Sequence, residues 1–185
     1  MLYTRKGDNG TTKTFGCDQR ISKSSAVAEA LGALDEANSF IGIIRAQAKD
    51  KKIKIKNKEE SLASLMLEVQ QSLFIVQAEV AGSKLSIVKE KTARVEMIVD
   101  EIEKILPPIK NFFIPGASVA GAEFDFARTL IRRAERRAVG AKEESKIKID
   151  AETLSYLNRL SSLFYALARI SSHLDGVKEV KPKYE

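Results

Sequence analysis

Cysteine and histidine are almost absent from this chain of 185 residues, in which Cys17 is the only cysteine and His173 the only histidine. A single cysteine excludes an intrachain disulfide and a cluster of thiolate metal ligands. A single histidine argues against a Ser-His-Asp or Cys-His nucleophile and against a multi-histidine zinc site, and we interpret His173 as structural or exposed. If the chain is an enzyme, it works through charge, positioning and the reactivity of its substrates.

Tryptophan is also absent, and no apolar run approaches the roughly 18 to 20 residues that cross a bilayer. The first ten residues reach glycine and charge without the apolar core of a signal peptide, so we expect a cytoplasmic protein with no membrane partner. The net charge of +6 suits either nucleic acid or a polyphosphate ligand. Because the basic residues do not alternate with aromatic ones, we expect no nucleic-acid partner, and the lysine-rich run 49–58 is interpreted as a solvated connector.

Apolar residues recur at helical intervals in five segments, which predicts five amphipathic helices. The predicted helices begin near Ser24 or Ser25, Glu59, Lys91, Ser118 and Asp150, and they end near Lys49, Gly82, Ile105, Val139 and Gly176. Short connections between long helices are typical of an antiparallel bundle. The sequence therefore predicts an all-α, five-helix bundle in a single domain, 1–185, with an ordered glycine-containing arm over 1–23, the bundle over 24–176 and a tail over 177–185.

The fourth predicted helix is rich in arginine. Arg128, Arg132 and Glu135 fall in a contiguous strip along one flank of its apolar arc. Guanidinium groups oriented by a carboxylate can hold an anion in fork geometry. A surface ladder of ion pairs explains the same pattern equally well, and the helix alone leaves both interpretations open.

Polar residues also stand at the rims of the first and fifth helices. Asn38 lies within the apolar arc of the first helix, Asp35 lies at its edge, and Asn158 lies beside Leu154 in the fifth. Any one of them is more often a satisfied structural group than a ligand. Together with the arginine strip of the fourth helix, three helices of one bundle carry polar residues at a rim, which suggests a site, although the sequence does not show that the rims meet.

The N-terminal arm contains a short glycine-rich stretch, Thr4–Thr12. Gly7 and Gly10 allow the backbone to bend sharply and to present bare N–H groups, while Arg5 and Lys6 add positive charge. This composition suits a triphosphate. It is not a Walker A loop, because the Gly-Lys-Ser/Thr ending before a helix is absent, and a purely structural turn is the alternative.

Together these segments resemble one family, the PduO-type corrinoid adenosyltransferases. The resemblance lies in five blocks kept in order: YTRKGDNGTT from Tyr3, RISKSSAVAEALGALDEANSFIG from Arg20, FFIPGAS from Phe112, ARTLIRRAERRAV from Ala127 and YLNRLSSLF from Tyr156. The resemblance implies a homotrimeric five-helix bundle with active sites between subunits. It also implies an enzyme that transfers the 5′-deoxyadenosyl group of ATP to Co(I) of a corrinoid such as cobalamin, releasing triphosphate.

The resemblance also implies the site residues. Those for ATP are Thr4, Arg5, Lys6, Gly7, Thr12, Lys23, Arg132, Glu135, Arg136 and Asn158. An intersubunit pair of Asp35 with Arg128 would bind the corrinoid, and Phe112 would displace its lower axial ligand, so that these three and Arg132 are the expected catalytic residues. Mg²⁺ is expected with the nucleotide, its ligands being unknown, and a corrinoid reductase and an adenosylcobalamin-dependent enzyme are further expected partners.

Three positions depart from the family pattern. The chain has Gly116-Ala117 where many relatives have Gly-Gly, Asp125 where histidine is common, and Ser24-Ser25 where acidic residues follow the lysine. These departures leave the affinity for the corrinoid open. Two alternatives from other classes are a bundle that binds ATP without turnover and a basic nucleic-acid binder, which would show a steep inverse dependence on salt.

Overall fold

The computed structural model describes residues 3–14, 19–48, 50–56 and 58–184, and in this part of the chain five α-helices form a bundle. The helices are α1 Ala26–Gln47, α2 Leu62–Val80, α3 Lys89–Glu103, α4 Val119–Ser145 and α5 Ala151–Leu174. Helix α1 packs against α2 and α4, and α5 packs against α3 and α4. The predicted five-helix bundle is confirmed. No described helix is long and apolar enough to span a membrane.

Three of the helices are N-capped by a serine hydroxyl. Ser25, Ser61 and Ser118 each accept a hydrogen bond from the backbone N–H three residues later, which satisfies an amide that has no partner within the helix. The start predicted at Ser118 is therefore confirmed. The end predicted for α4 near Val139 is wrong, because the helix continues through Gly140 to Ser145.

Two short antiparallel hairpins accompany the helices. Strand β1, Thr11–Lys13, pairs with β2, Arg20–Ser22, and β3, Lys52–Ile55, pairs with β4, Lys58–Ser61. In β3 the two isoleucines are buried and the two lysines are exposed. The interpretation of this run as a loop is wrong, because four alternating residues are enough for a hairpin strand when one of its faces packs on the bundle.

Small residues on α4 allow its neighbours to approach closely. Ala127, Ala134, Ala138 and Ala141 are buried along one stripe. At Gly121 the approach of α5 is so close that a Cβ atom would lie 2.5 Å from the Ser172 hydroxyl oxygen. The first turns of α4 are thereby held against the C-terminal half of α5, next to the loop that joins α3 to α4.

A buried carboxylate joins the end of α2 to the start of α5. Glu79 is only 4% exposed, and its Oε1 accepts from the Asp150 N–H at 2.7 Å while its Oε2 accepts from the Thr153 hydroxyl at 2.5 Å. The Thr153 oxygen in turn accepts from the Ile87 N–H at 3.2 Å. Three separate parts of the chain therefore depend on one side chain.

We expect Glu79→Ala to lower the free energy of unfolding by about 1 to 3 kcal/mol, because buried donors would lose their acceptor. Urea denaturation followed by circular dichroism measures this change. Glu59→Ala is the control, since Glu59 forms an exposed ion pair with Lys52 at 2.8 Å and solvent screens such pairs so that they contribute little to stability. Equal effects of the two substitutions would contradict the assignment of Glu79 as a structural junction.

Candidate active site

A cavity of about 850 Å³ lies between the α3–α4 loop, the facing edges of α4 and α5, and the C-terminal tail. The loop contributes residues 109–117, and the tail contributes Glu179, Lys181, Pro182 and Tyr184. Helix α4 contributes Asp125, Arg128 and Arg132. The volume of the cavity is within the usual range for a ligand site, and the cavity lining combines apolar side chains with a few charged ones.

Phe112 is the most exposed large apolar side chain of the loop, at 81%. The preceding Pro107-Pro108 pair cannot continue α3, and Gly116 adopts a left-handed φ of 101° that turns the chain toward α4. These constraints present the ring at the cavity rather than in the core. The structure thus places Phe112, Arg128 and Arg132 in one cavity, although they come from two different sequence blocks.

Arg128 is held from two sides. Its Nε donates to Asp125 Oδ1 at 3.1 Å, and its guanidinium lies 5.9 Å from the centre of the Tyr165 ring. Burial raises the pKa of the Tyr165 hydroxyl, so this side chain stays neutral beside the cation. Asp35, the partner expected for Arg128, is exposed on α1 and does not line the cavity. Within one chain, Arg128 therefore pairs with Asp125, and among the described residues it has no hydrogen bond or ion pair with Asp35.

The arginines of α4 differ in whether they form ion pairs, which bears on the two interpretations of this helix as an anion site or a surface ladder. Arg133 forms an ion pair with Glu36 of α1, as a surface ladder predicts. Arg132 is exposed at the cavity, and neither it nor Arg136 has a hydrogen bond or ion pair with the residues that the structure describes. Two unpaired guanidinium groups on one helix are available to an anion.

The α4–α5 edge carries a hydrogen-bonded pair. Asn158 Nδ2 donates to Glu135 Oε1 at 3.0 Å, and Asn158 Oδ1 accepts from Arg159 Nη1 at 2.9 Å. Two residues expected to bind ATP, from different helices, are therefore in contact. Their position one turn beyond Arg132 extends the polar edge of the cavity along the helices.

The glycine-containing arm is folded back on itself by the β1–β2 hairpin. The Lys23 N–H donates to the Gly10 carbonyl at 2.9 Å, and a Cβ atom on Gly7 would lie 3.2 Å from Lys23 Nζ. The absence of a side chain at Gly7 thus makes room for the ammonium group. Two residues far apart in the expected ATP set, Gly7 and Lys23, are brought together.

Arg20 is a structural residue of the arm that the sequence interpretation missed. Its Nε donates to the Thr11 hydroxyl at 2.6 Å, and its Nη2 donates to the Thr11 carbonyl at 2.8 Å and to the Lys6 carbonyl. The only signal was its place at the start of a family block. The other expected ATP residues of the arm are exposed or half-buried around this hairpin: Thr4, Arg5, Lys6 and Thr12.

The fold and the site together define a helical-bundle protein with a cationic, partly apolar ligand cavity. The chain matches the family model described as cobalamin adenosyltransferase over residues 2–171. It belongs to this family, which confirms the family predicted from the sequence blocks.

Individual relatives agree with the family. The chain is 37% identical, over 93% of its length, to the corrinoid adenosyltransferase PduO of Citrobacter freundii, and 33% identical, over 97%, to a corrinoid adenosyltransferase of Bacillus subtilis. It covers 50% of the first protein and 91% of the second. It is also 34% identical over 99% of its length to PduO of Salmonella typhimurium, of which it covers 54%. The chain thus spans about half the length of the two PduO proteins.

The fold is also that of a solved relative. A variant of a PduO-type ATP:corrinoid adenosyltransferase from Lactobacillus reuteri, complexed with cobalamin and ATP, superposes with a TM-score of 0.86 and 27% identity. The match covers 100% of this chain and 97% of that one.

Proposed function

We propose that this protein transfers the 5′-deoxyadenosyl group of ATP to Co(I) of a corrinoid, giving adenosylcobalamin and triphosphate. The observation that carries the proposal is the cavity that holds Phe112, Arg128 and Arg132 together. An apolar ring suits one face of a corrinoid, and arginines suit the phosphates of a nucleotide. Relatives with this fold are corrinoid adenosyltransferases, and one is complexed with both proposed substrates.

The nucleotide would lie between two copies of the chain. The contacts that order the arm are made largely within the arm itself, through Arg20 and Lys23, whereas Arg132 and Arg136 stand unpaired on α4 among the described residues. We propose a homotrimer in which the arm of one subunit supplies one side of the ATP site and α4 and α5 of its neighbour supply the other. The same arrangement would bring Asp35 of one subunit to Arg128 of the next.

The chemistry needs no nucleophile from the protein. The electron pair of Co(I) forms the bond to C5′ of ATP while the C5′–O bond breaks, and triphosphate leaves with that bond's electrons. Positive side chains fixed around the phosphates stabilise the charge that develops on the leaving group. A reaction of this kind accounts for an enzyme that contains one histidine and one cysteine.

Phe112 would act before the transfer. We propose that its ring occupies the side of the corrinoid where the lower axial ligand binds, so that Co(II) loses this ligand and becomes easier to reduce to Co(I). The 81% exposure of the ring supports this role, because binding a ligand that covers an exposed apolar side chain lowers the free energy.

Mg²⁺ would arrive with the nucleotide. No group of three or more His, Cys, Asp or Glu side chains among residues 3–14, 19–48, 50–56 and 58–184 is placed to hold a metal. A Mg²⁺ ion that arrived with ATP would therefore be bound mainly by phosphate oxygens and water, as is common for this ion. The ion would neutralise charge on the triphosphate.

The reaction requires two further partners by its chemistry. A reductase must supply the electron that converts Co(II) to Co(I), and an adenosylcobalamin-dependent enzyme must use the product. Since ATP and a reduced corrinoid are found inside cells, the proposal also places the protein in the cytoplasm.

An anaerobic assay tests the proposal. Purified protein is mixed with ATP, Mg²⁺ and chemically reduced cobalamin, and the loss of Co(I) absorbance is followed together with the appearance of adenosylcobalamin by chromatography. We expect product that depends on both protein and ATP. Binding of ATP without any adenosylated product would overturn the enzyme assignment and would favour a nucleotide-binding bundle without turnover.

A further inference from the structure

Arg169 is a buried cation that contacts two segments outside its own helix. It lies in α5 with 4% exposure. Its Nε donates to both carboxylate oxygens of Glu179 in the tail, at 3.3 and 3.2 Å, and its Nη2 donates to Glu179 Oε2 at 3.1 Å. Its Nη1 and Nη2 also approach the Pro107 carbonyl, each at 3.4 Å, where the α3–α4 loop begins.

Two further contacts strengthen the same junction. The Arg169 guanidinium lies 5.2 Å from the centre of the Phe113 ring, within the range of a cation–π interaction. The Ile114 N–H donates to the Val180 carbonyl at 2.8 Å, so the loop and the tail are also joined through their backbones. The residue adjacent to Phe112 is thus packed on the buried cation.

The chemistry of the junction requires arginine. A buried guanidinium without a partner carries a large desolvation penalty, which the Glu179 carboxylate offsets. A planar fork with five N–H donors can serve a carboxylate and a carbonyl at once. A lysine has one charged nitrogen and cannot reach both acceptors with the same geometry. Arg169 is therefore joined to the loop and to the tail at the same time.

Both segments joined by Arg169 line the cavity. The loop brings Phe112, and the tail brings Lys181, Pro182 and Tyr184. We propose that Arg169 is a positioning residue that holds the Phe112 loop and the C-terminal tail together as one wall on the corrinoid side of the cavity. This inference rests on the proposed function, because it assigns that wall to the corrinoid rather than to ATP.

The test compares Glu179→Gln and Arg169→Lys with the unmodified protein. We expect the KM for the corrinoid to rise at least fivefold in both variants, while the KM for ATP stays within twofold. A variant that merely loosened the fold would raise both KM values together. Thermal unfolding and circular dichroism establish whether each variant is folded. If one variant does not fold, the other still provides the test.

Limited trypsin digestion provides a readout that needs no activity. Lys110 lies in the loop, and cleavage after it should accelerate at least fivefold in Glu179→Gln, although Glu179 is in the tail. Glu60→Gln is the control, because Glu60 pairs with Arg94, neither residue lines this cavity, and the substitution should change neither the corrinoid KM nor cleavage at Lys110.

Each outcome has a distinct meaning. An active unmodified protein whose Glu179→Gln and Arg169→Lys variants keep the corrinoid KM within twofold would overturn the inference. An inactive unmodified protein would overturn the proposed function. Cleavage after Lys110 that is no faster in Glu179→Gln than in Glu60→Gln would show that Glu179 does not hold the loop.

Discussion

Replacing Arg132 by alanine is expected to lower kcat by about 10²- to 10³-fold, the usual effect of removing one preorganised group that stabilises charge in a transition state. Arg132 is exposed at the cavity and has no hydrogen bond or ion pair with the described part of the chain. Its charge is therefore available to the triphosphate that leaves in the proposed reaction. The measurement is single-turnover transfer with the enzyme in excess over cob(I)alamin and with saturating ATP, compared with steady-state kcat, which separates the chemical step from product release.

The same lack of partners predicts a stable variant. Since no interaction is broken within the chain, the midpoint of thermal unfolding should change little. Arg133→Ala is the matched control, because Arg133 is the next residue and pairs with Glu36 on the opposite flank. We expect it to retain activity within a few-fold. Near-normal turnover by Arg132→Ala, or an equal loss in Arg133→Ala, would mean that the triphosphate does not bind along this flank.

The helices could be predicted from the sequence because their signals are local. A serine before an apolar period predicts a helix start, and the observed starts after Ser25 and Ser118 follow from a hydroxyl that accepts an amide three residues later. The end of α4 lies beyond the predicted Val139, because the helix continues through Gly140. A glycine inside a helix costs only about 1 kcal/mol relative to alanine, which the buried Ala141 one residue later helps to offset.

The hairpins were missed because their stabilisation is not local. Four residues of alternating lysine and isoleucine carry too short a pattern to exclude a charged loop. Ile53 and Ile55 form a strand because the bundle provides a surface on which to bury them. Arg20 was missed for a related reason, since its acceptors at Lys6 and Thr11 come within reach only after the arm has folded back.

The candidate site could be predicted in its residues but not in its pairings. Family blocks indicated Arg128, whereas the structure shows that Asp125, noted only as a departure, holds it within the chain. An arginine that has one carboxylate on its own helix still has donors left for a second, so the exposed Asp35 remains compatible as an intersubunit partner. Arg169 gave no sequence signal, because burial of its charge depends on a tail that returns to the loop.

Replacing Phe112 by alanine is expected to slow adenosylation that starts from cob(II)alamin about 10- to 100-fold, because covering a phenylalanine side chain contributes about 1.5 to 3 kcal/mol. Adenosylation that starts from chemically reduced Co(I) should slow only a few-fold. Co(I) has no lower ligand to lose, so the step that Phe112 is proposed to assist does not occur in that experiment. One assay uses a mild reductant that reduces cob(II)alamin only when it is bound without its lower ligand, and a parallel assay uses fully pre-reduced corrinoid, so that the two steps are measured separately.

A graded substitution distinguishes displacement of the ligand from general damage to the loop. Phe112→Leu keeps part of the apolar bulk and should show an intermediate loss from cob(II)alamin, because the free energy scales with the apolar area that is covered. The optical spectrum of bound cob(II)alamin should report the same order, with the four-coordinate species most populated in the unmodified protein and least in Phe112→Ala. Equal slowing from Co(II) and from Co(I) would refute the role of Phe112 in removing the ligand, since the ring would then act only after Co(I) has formed.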